Sequence, residues 1–388
     1  MRPRIVRARN FLIGFSLFLL VASPSIKGLI IDSEVFNILP VIILGFTILW
    51  RFSLNKKDLL GFLPTSLFLT VMLLSFFINP LVFPGVKEFF KYLFIFSLCF
   101  LLPPQINKES LSWFLFFCMT WGIVVAFINS FVGVEFTDSF HYLTVGLPIS
   151  LMIIIAFFWC LYAEKGVLFR VAMVMAIVFG FNSLFTLYGR SPILFVFLSI
   201  VFYLLVNILS SKGVSAFFKQ FSILLSYIAL SVIVFYYFVP SHISERVYRM
   251  FGSSQSGDTE PRLEAVYYPS IEAILDNPFG YGLSSSWDVV GFYPHNIFLE
   301  MAINSGLIGL TVIIMFSFIA MLSTYDIIRN KHRYCYELLP FSLVSWYLFL
   351  MWNVSYDIPS AYALIPFMSF FVLFKLSTES FRNRFFEQ

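Results

Sequence analysis

Charge is what this sequence has least of. Lys, Arg, Asp and Glu make up only 12% of the 388 residues, whereas 60% are hydrophobic and the mean hydropathy is +0.89. Soluble domains carry about 25% charged residues, so the composition excludes a soluble globular protein and indicates an integral membrane protein. The hydrophobic runs are continuous rather than alternating, which excludes a membrane β-barrel and predicts transmembrane helices.

Cysteine is scarce as well, and the four that occur are far apart. Cys99, Cys118, Cys160 and Cys335 lie in or beside hydrophobic runs without CxxC spacing, so they indicate neither a disulfide framework nor a metal site. The sequence also has no HExxH, GxGD, P-loop, GxSxG or paired-aspartate motif. We therefore expect any chemistry to proceed without a metal ion or another cofactor.

The hydrophobic segments predict an all-α fold with about twelve transmembrane helices. They lie near 11–31, 35–50, 59–79, 87–102, 111–132, 143–163, 167–188, 191–210, 220–240, 295–322, 337–353 and 359–375. Four of them are short, so counts of ten or eleven spans stay open. No cleavage site follows the basic N-terminus MRPRIVRARN, which predicts an uncleaved first helix.

The basic residues predict the orientation of these helices. With the N-terminus in the cytoplasm, 18 of the 25 Lys and Arg residues fall in cytoplasmic segments, as the positive-inside rule requires. Both termini are then cytoplasmic. The chain divides into N-terminal membrane helices at 1–240 (about nine spans), one large periplasmic loop at 241–294, and C-terminal membrane helices at 295–388 (about three spans).

The large loop is the polar interruption of the chain. Pro261 to Asp276 has apolar residues near helical spacing, and Pro269 should bend or divide that helix. The sequence NPFGYG that follows is typical of a turn. We expect short helices here that lie against the membrane surface.

Four arginines on the predicted outer side are candidates for binding an anion. Arg190 lies close to hydrocarbon, directly before Ser191 and Pro192, which fit a helix start. It could bind an anion beside that helix terminus or extend toward lipid headgroups. Arg262 opens the loop helix and could instead form a solvated ion pair with Glu264. Arg246 and Arg249 could share a helical face and contact phosphate or lipid headgroups.

One histidine precedes the tenth span in the sequence FYPHNIFLEMAINSGLIGL. A neutral imidazole at His295 could take a proton from a sugar hydroxyl, or it could be an ordinary hydrogen-bonding residue. Asn296, Glu300 and Asn304 recur every four residues and form one polar stripe. That stripe could contribute to a site or simply hydrogen-bond neighbouring helices.

Taken together, these motifs resemble the O-antigen polymerase and O-antigen ligase superfamily of bacterial envelope glycosyltransferases. The matching pieces are GRSP at 189–192, Arg262 with DNPFGYG at 276–282, and PHNIFLEMAINSGLIGL at 294–310. Their order and spacing agree with the family's pattern of an arginine that opens an outer helix, a glycine turn, and an HN motif that leads into a span.

The resemblance implies a GT-C-like membrane glycosyltransferase in the bacterial inner membrane. Its substrate would be an oligosaccharide on undecaprenyl pyrophosphate, delivered by a flippase. Arg190 and Arg262 match the family's pyrophosphate-binding arginines, and His295 its general base. To these we add Arg246, Arg249 and Asn296 as substrate-binding residues. No metal is implied. Expected partners are membrane lipid and a polysaccharide chain-length regulator, and nucleic acid is not among them.

Two alternatives to an O-antigen polymerase remain at this stage. A ligase would use the same site but transfer finished polymer to the lipid A core. An exporter or flippase of lipid-linked saccharides would also suit about twelve spans with outer arginines. Against the exporter, few charged residues lie inside the spans, and no inverted repeat is visible.

Overall fold

The computed structural model describes residues 3–29, 56–77, 86–133, 142–162, 165–187, 191–211, 263–355, 358–377 and 379–386, with scattered positions at 39–47 and 213–227. Most of the hydrophobic segments 35–50 and 220–240 lies outside the described residues. So do four of the predicted site residues, Arg190, Arg246, Arg249 and Arg262.

The described residues form thirteen α-helices. They are α1 Pro3–Leu29, α2 Leu63–Ser75, α3 Val86–Leu101, α4 Lys108–Phe127, α5 Tyr142–Tyr162, α6 Val167–Thr186, α7 Ser191–Leu209, α8 Tyr268–Asp276, α9 Ser286–Val290, α10 Ile297–Arg329, α11 Leu338–Trp352, α12 Leu364–Leu376 and α13 Glu379–Arg382. A π-helical turn extends α4 over Ile128–Val132, and another precedes α8 over Leu263–Tyr267. The predicted all-helical fold is confirmed for this part of the chain.

Six of these helices are long and apolar enough to cross a membrane. They are Val6–Leu29, Lys108–Val132, Tyr142–Tyr162, Val167–Thr186, Ser191–Leu209 and Ile297–Arg329. Four shorter apolar helices accompany them, at Leu59–Ser75, Phe90–Gln105, Leu338–Trp352 and Leu364–Leu376. The helices indicate a multi-pass membrane protein, and the count of about twelve spans stays a prediction.

One end of the bundle, which we call the N-terminal face, is where α1 begins. Asn10 of α1 donates a hydrogen bond to Glu109 at the start of α4 (2.7 Å). Lys331, just after α10, donates to the side-chain oxygen of Asn207 near the end of α7 (2.7 Å). Burial lowers the pKa of Lys331 below its ordinary value of 10.5. Ser112 in the first turns of α4 donates to the carboxylate of Glu337, six residues after Lys331 (2.8 Å), so α1 and α4 begin at the face where α7 and α10 end.

The described C-terminal segment also lies at the N-terminal face. Phe385 is fully buried, and its carbonyl accepts a hydrogen bond from the backbone N–H of Cys335 (2.6 Å). Arg384 donates to the carbonyl of Pro104, between α3 and α4 (3.0 Å). The start of α1 and the segment 379–386 are thus at the same end of the bundle. Which side of a membrane this end faces stays a prediction from the charge distribution.

The opposite end, which we call the site face, is where α5, α7 and α10 begin. In the first turns of α5, Gly146 packs so closely on Pro192 of α7 that an added Cβ would lie 2.7 Å from the proline Cγ. Ile358, which follows α11, donates its backbone N–H to Glu300 of α10. These three helices run parallel from the site face to the N-terminal face, as the alternating topology predicts.

Small residues bring the N-terminal helices into close contact. A Cβ at Gly122 of α4 would lie 2.4 Å from the Met152 Cβ of α5, and one at Gly180 of α6 would lie 2.5 Å from the Met152 Cε. Small residues at helix interfaces let backbones approach each other, which favours association where water supplies no hydrophobic driving force. Elsewhere, Phe68 of α2 stacks on Phe316 of α10, with ring centroids 5.1 Å apart.

Candidate active site

Helix α10 is broken one third of the way along its length. At Gly306 the backbone has φ 68° and ψ −165°, a conformation that is almost restricted to glycine. The element therefore consists of two half-helices, 297–305 and 307–329. The sequence predicts one uninterrupted span near 295–322, and this break is the main departure from that prediction.

The NPFGYG turn crosses the break and supplies the hydrogen bonds that the helix loses there. The N–H of Leu307 donates to the carbonyl of Pro278 (2.9 Å) instead of to Ile303, four residues earlier in the helix. The Ile303 carbonyl accepts from the N–H of Tyr281 instead (2.8 Å). Non-helical backbone at membrane depth is tolerated where other parts of the protein satisfy it, and the turn does so here.

The turn is itself held together by its asparagine. The Nδ2 group of Asn277 donates to the Gly280 carbonyl (2.7 Å), and the Gly280 N–H donates to the Asn277 carbonyl (3.0 Å). Two residues further on, the N–H of Gly282 donates to the carbonyl of Asn304 (3.0 Å). Two of the sequence motifs of the resemblance, DNPFGYG at 276–282 and PHNIFLEMAINSGLIGL at 294–310, therefore form one hydrogen-bonded unit.

Two glycines make this contact possible, and we call it the glycine crossing. A Cβ on Gly280 would lie 2.5 Å from the Gly306 nitrogen, and a Cβ on Gly306 would lie 2.3 Å from the Pro278 carbonyl oxygen. Both glycines have positive φ, 88° and 68°. Steric room and backbone conformation thus both require glycine on each side of the crossing.

A small apolar cluster joins the loop helices to the first half of α10. Ile274 of α8 packs with Ala302 and Ile303, and Val289 of α9 and Leu299 pack against this cluster. Within the described part of the loop, α8 starts at Tyr268 with Pro269 in its first turn, and α9 follows over Ser286–Val290. The loop helices therefore pack on the half-helix 297–305.

The other side of α8 leaves apolar side chains exposed. Tyr268, Ile271 and Leu275 are 56%, 45% and 74% exposed, and Phe279 of the turn is 73% exposed. Positions 268, 271 and 275 share one helical face. This pattern is typical of a helix that lies in the membrane interface, and the contact with lipid stays a prediction.

His295 precedes the first half of α10 at the site face. It is half-buried, follows the buried Pro294, and has φ 51°, which is unusual for a residue other than glycine. Such backbone strain occurs where the surrounding structure holds a residue firmly, and it is common at functional sites. A half-buried imidazole held in this way can accept a proton from a bound hydroxyl group.

Asn296 is the N-cap of α10. Its side-chain oxygen accepts hydrogen bonds from the N–H groups of Phe298 (3.0 Å) and Leu299 (3.1 Å), which have no partner within the helix. The oxygen is therefore engaged in capping, and a contact with substrate would use the Nδ2 group. The role of Asn296 in substrate binding stays a prediction.

The other two residues of the polar stripe, Glu300 and Asn304, are fully buried and bond to different segments. Glu300 Oε2 accepts the backbone N–H of Ile358 (2.8 Å). Asn304 Oδ1 accepts from the Ser285 hydroxyl (3.4 Å). Both side chains connect the half-helix 297–305 to neighbouring loops, which agrees with the hydrogen-bonding alternative for this stripe.

The predicted arginines cannot be placed, because all four lie outside the described residues. The helix that follows Arg190 begins at Ser191, with Pro192 in its first turn. This helix, α7, packs against α10 and α11.

The sequence indicates the histidine and the turn, but it does not reveal the break at Gly306. Its only signal is a glycine after Asn304 and Ser305 in an apolar run.

Metal-ligating side chains are dispersed in the described part of the chain. No three His, Cys, Asp or Glu residues come together there. The residues that the sequence assigns to the candidate site are one histidine, Asn296 and the four arginines.

Comparison with known proteins finds a similar family over the central part of the chain. Residues 175–314 match a family model described as Wzy_C: O-Antigen ligase. This segment runs from the middle of α6 through the glycine crossing and contains His295, Asn296 and all four candidate arginines. The predicted resemblance to the O-antigen ligase and polymerase superfamily is confirmed over these residues. Among curated proteins, no match to the chain was found.

Proposed function

We propose that this chain, with its match to the O-antigen ligase family model over 175–314, is a membrane glycosyltransferase that polymerises lipid-linked oligosaccharide repeat units. The observation that carries the proposal is the position of His295, which lies within the matched segment, two residues before the half-helix that is joined to the NPFGYG turn. The donor is a growing O-antigen or related glycan on undecaprenyl pyrophosphate. The acceptor is the next lipid-linked repeat unit.

The proposed reaction is a metal-independent, inverting glycosyl transfer. His295 takes the proton of the acceptor hydroxyl while that oxygen attacks the anomeric carbon of the donor. The bond from the anomeric carbon to the pyrophosphate oxygen breaks, and undecaprenyl pyrophosphate leaves with the electron pair. Arg190 and Arg262 stabilise its charge through charge-assisted hydrogen bonds. Contacts with the remaining parts of the substrate are assigned to Arg246, Arg249 and Asn296.

The geometry of the described residues supports His295 in this role. A general base must stay within hydrogen-bond reach of the hydroxyl that it deprotonates, and His295 has a constrained backbone next to a capped helix start. The half-helix that follows it is joined to the NPFGYG turn by backbone hydrogen bonds at Ile303 and Asn304. A base on such a support keeps its position during turnover.

The proposal includes the cellular setting that the sequence predicts. The chain lies in the bacterial inner membrane with both termini in the cytoplasm, so that the site face and the loop 241–294 face the periplasm. The membrane helices 1–240 and 295–388 enclose the lipid-linked substrate. A flippase delivers each repeat unit to this face, and a chain-length regulator is the expected protein partner.

An O-antigen ligase is the second candidate, because the description of the matching family names that activity. A ligase would use the same donor and the same leaving group but would transfer the polymer to the lipid A core. We favour the polymerase because of the YPHNIFLE form of the histidine motif.

The test is a reconstitution with purified protein and undecaprenyl-pyrophosphate-linked repeat units, with products separated by size. One reaction contains repeat units alone, and a second also contains the lipid A core. A matched control replaces the donor by the same glycan on undecaprenyl monophosphate, which lacks the pyrophosphate leaving group.

A ladder of longer lipid-linked glycans from repeat units alone, absent with the monophosphate, is the expected result. Glycan transfer that occurs only when the lipid A core is present would show that the activity is that of a ligase and not of a polymerase. Absence of glycan transfer in both reactions would overturn the proposal.

A further inference from the structure

We propose that Glu300 is a positioning residue whose carboxylate holds the half-helix 297–305, and with it His295, against the segment that follows α11. The hydrogen bond that makes this connection is a feature of the described residues. The consequence for catalysis rests on the proposed function, in which His295 is the base.

The half-helix needs a second attachment because the glycine crossing holds only its far end. Nine residues at 1.5 Å each give a length of about 13 Å, so a tilt of about 10° would displace His295 by about 2 Å. A misplacement of about 1 Å can lower the rate of an enzyme about 100-fold. Phe298 also packs on Phe349 of α11, with ring centroids 6.0 Å apart, but apolar contacts have little directional preference.

Glu300 provides a directional bond close to His295. Its side chain is fully buried, and Oε2 lies 2.8 Å from the backbone nitrogen of Ile358. Its own backbone N–H donates to the carbonyl of Asn296, the N-cap next to His295 (2.9 Å). The carboxylate therefore acts on the first helical turn, at the end of the half-helix opposite to the glycine crossing.

The segment that receives this bond is firmly attached to the membrane bundle. Ile358 is 2% exposed, and its carbonyl accepts the N–H of Ala361 (2.9 Å). The carbonyl of Ala361 in turn accepts the N–H of Ile365 in the first turn of α12 (3.0 Å). Position 358 is thus continuous with a buried helix, so it is a fixed point for the hydrogen bond between Ile358 and Glu300.

A carboxylate at this depth indicates a hydrogen-bonding role. Burying a carboxylate is costly, and an apolar side chain would fill the same space at less cost. Glu300 is also one turn further into the bundle than His295 and is fully enclosed, whereas a group that exchanges protons with substrate must reach the hydroxyl.

The test compares three variants in the purified protein. Glu300→Gln keeps an oxygen that can accept the Ile358 N–H, whereas Glu300→Ala removes it. Ile358→Pro removes the donor and leaves the carboxylate in place. Glu272→Ala, at an exposed carboxylate of α8, is the matched control. The readouts are kcat, KM and the pH profile of glycan transfer, and the rate at which diethylpyrocarbonate modifies His295 relative to His332, measured by peptide mass spectrometry.

We expect Glu300→Ala and Ile358→Pro to lower kcat about 10- to 100-fold, with a smaller change in KM and an unchanged shape of the pH profile. Both should change the modification rate of His295 but not that of His332. Glu300→Gln and Glu272→Ala should behave like the wild type. Modification of His295 does not depend on turnover, so it tests the positioning role of Glu300 even in an inactive protein. A wild type that transfers no glycan would refute only the proposed function.

Two results would overturn the inference. One is wild-type modification of His295 in both Glu300→Ala and Ile358→Pro. The other is a Glu300→Gln variant that is as slow as Glu300→Ala and has an altered pH profile, because Glu300 would then transfer protons itself. If Glu300→Ala fails to fold, Ile358→Pro and Glu300→Gln still distinguish these outcomes.

Discussion

At the scale of single residues, Asn296 has one established structural contact and one proposed functional contact, and they use different atoms. Its Oδ1 caps α10, whereas its Nδ2 is the group proposed to bind substrate. Serine is as good an N-cap as asparagine but has no amide group. The two roles can therefore be separated by substitution.

We predict that Asn296→Ala lowers the free energy of unfolding by about 1 kcal/mol through loss of the cap. Asn296→Ser should retain the stability but raise the KM for the lipid-linked donor. Thermal unfolding in detergent and steady-state kinetics measure the two effects. Wild-type kinetics in Asn296→Ser would show that Asn296 caps α10 and does not bind substrate.

The glycine crossing makes a second prediction at this scale. Gly306→Ala should destabilise the protein, since alanine at a positive φ costs about 1–3 kcal/mol and its Cβ would also meet the Pro278 carbonyl oxygen at 2.3 Å. The shift of the thermal midpoint measures the loss.

Alanine substitutions at two other glycines distinguish the effect of backbone strain from the effect of steric overlap. Gly133 has φ 79° but no neighbour within 4 Å of an added Cβ, and Gly166 has φ −60° and equally open surroundings. The destabilisation should decrease in the order Gly306→Ala, Gly133→Ala, Gly166→Ala. A Gly306→Ala variant no less stable than Gly133→Ala would contradict the close backbone contact.

At the scale of elements, α8 carries a prediction about the membrane surface. Its exposed apolar face contains Leu275, while the exposed Asp276 lies about 100° further around the same helix. In lipid, a helix of this kind lies with the apolar face in the boundary between headgroups and acyl chains.

A nitroxide label at Leu275→Cys should accordingly be relaxed by oxygen, which concentrates in lipid, more than by a water-soluble nickel complex. A label at Asp276→Cys should show the reverse preference. Power saturation in proteoliposomes measures both, with Cys160 replaced by serine because the other three native cysteines are buried. Equal accessibility at the two positions would place α8 away from the bilayer.

The elements differ in how far the sequence predicts them. Long apolar runs give α4 to α7 almost at their observed bounds, because hydrophobic length alone specifies a span. The break in α10 was not predicted, because it depends on a partner far away in sequence. In the sequence, Gly306 is a single residue of low helix propensity within an apolar run. Only its contact with Gly280 and Pro278 makes the broken conformation favourable. The sequence does not predict the hydrogen bond between Ile358 and Glu300 for the same reason.

At the scale of the whole molecule, the two faces of the bundle agree with the predicted topology, while their placement across the membrane rests on charge alone. The start of α1 and the segment 379–386 meet at the N-terminal face, and α10 begins at the site face. The positive-inside rule predicts that the N-terminal face lies in the cytoplasm.

Orientation can be measured with single cysteines at exposed positions of each face. In intact cells with a permeable outer membrane, an impermeant maleimide should label Trp287→Cys at the site face. It should label His332→Cys at the N-terminal face only after the inner membrane is lysed. The reverse pattern would invert the topology and remove the site from the periplasm.

The site is predictable from sequence only as a set of residues. Short motifs identify His295 and the arginines because the family resemblance assigns roles to them, and the match over 175–314 supports that family. Their arrangement depends on how α8, α9 and the half-helix 297–305 pack together, and no single motif contains that information.

The central claim is that His295 is the general base, and the most direct measurement is the single-turnover rate of glycan transfer at saturating donor. We predict that His295→Ala lowers this rate about 100- to 10,000-fold, with donor binding and the thermal midpoint close to wild type. The matched variant His332→Ala, at an exposed histidine of the N-terminal face, should keep the wild-type rate. A His295→Ala variant with a rate close to wild type would contradict the account.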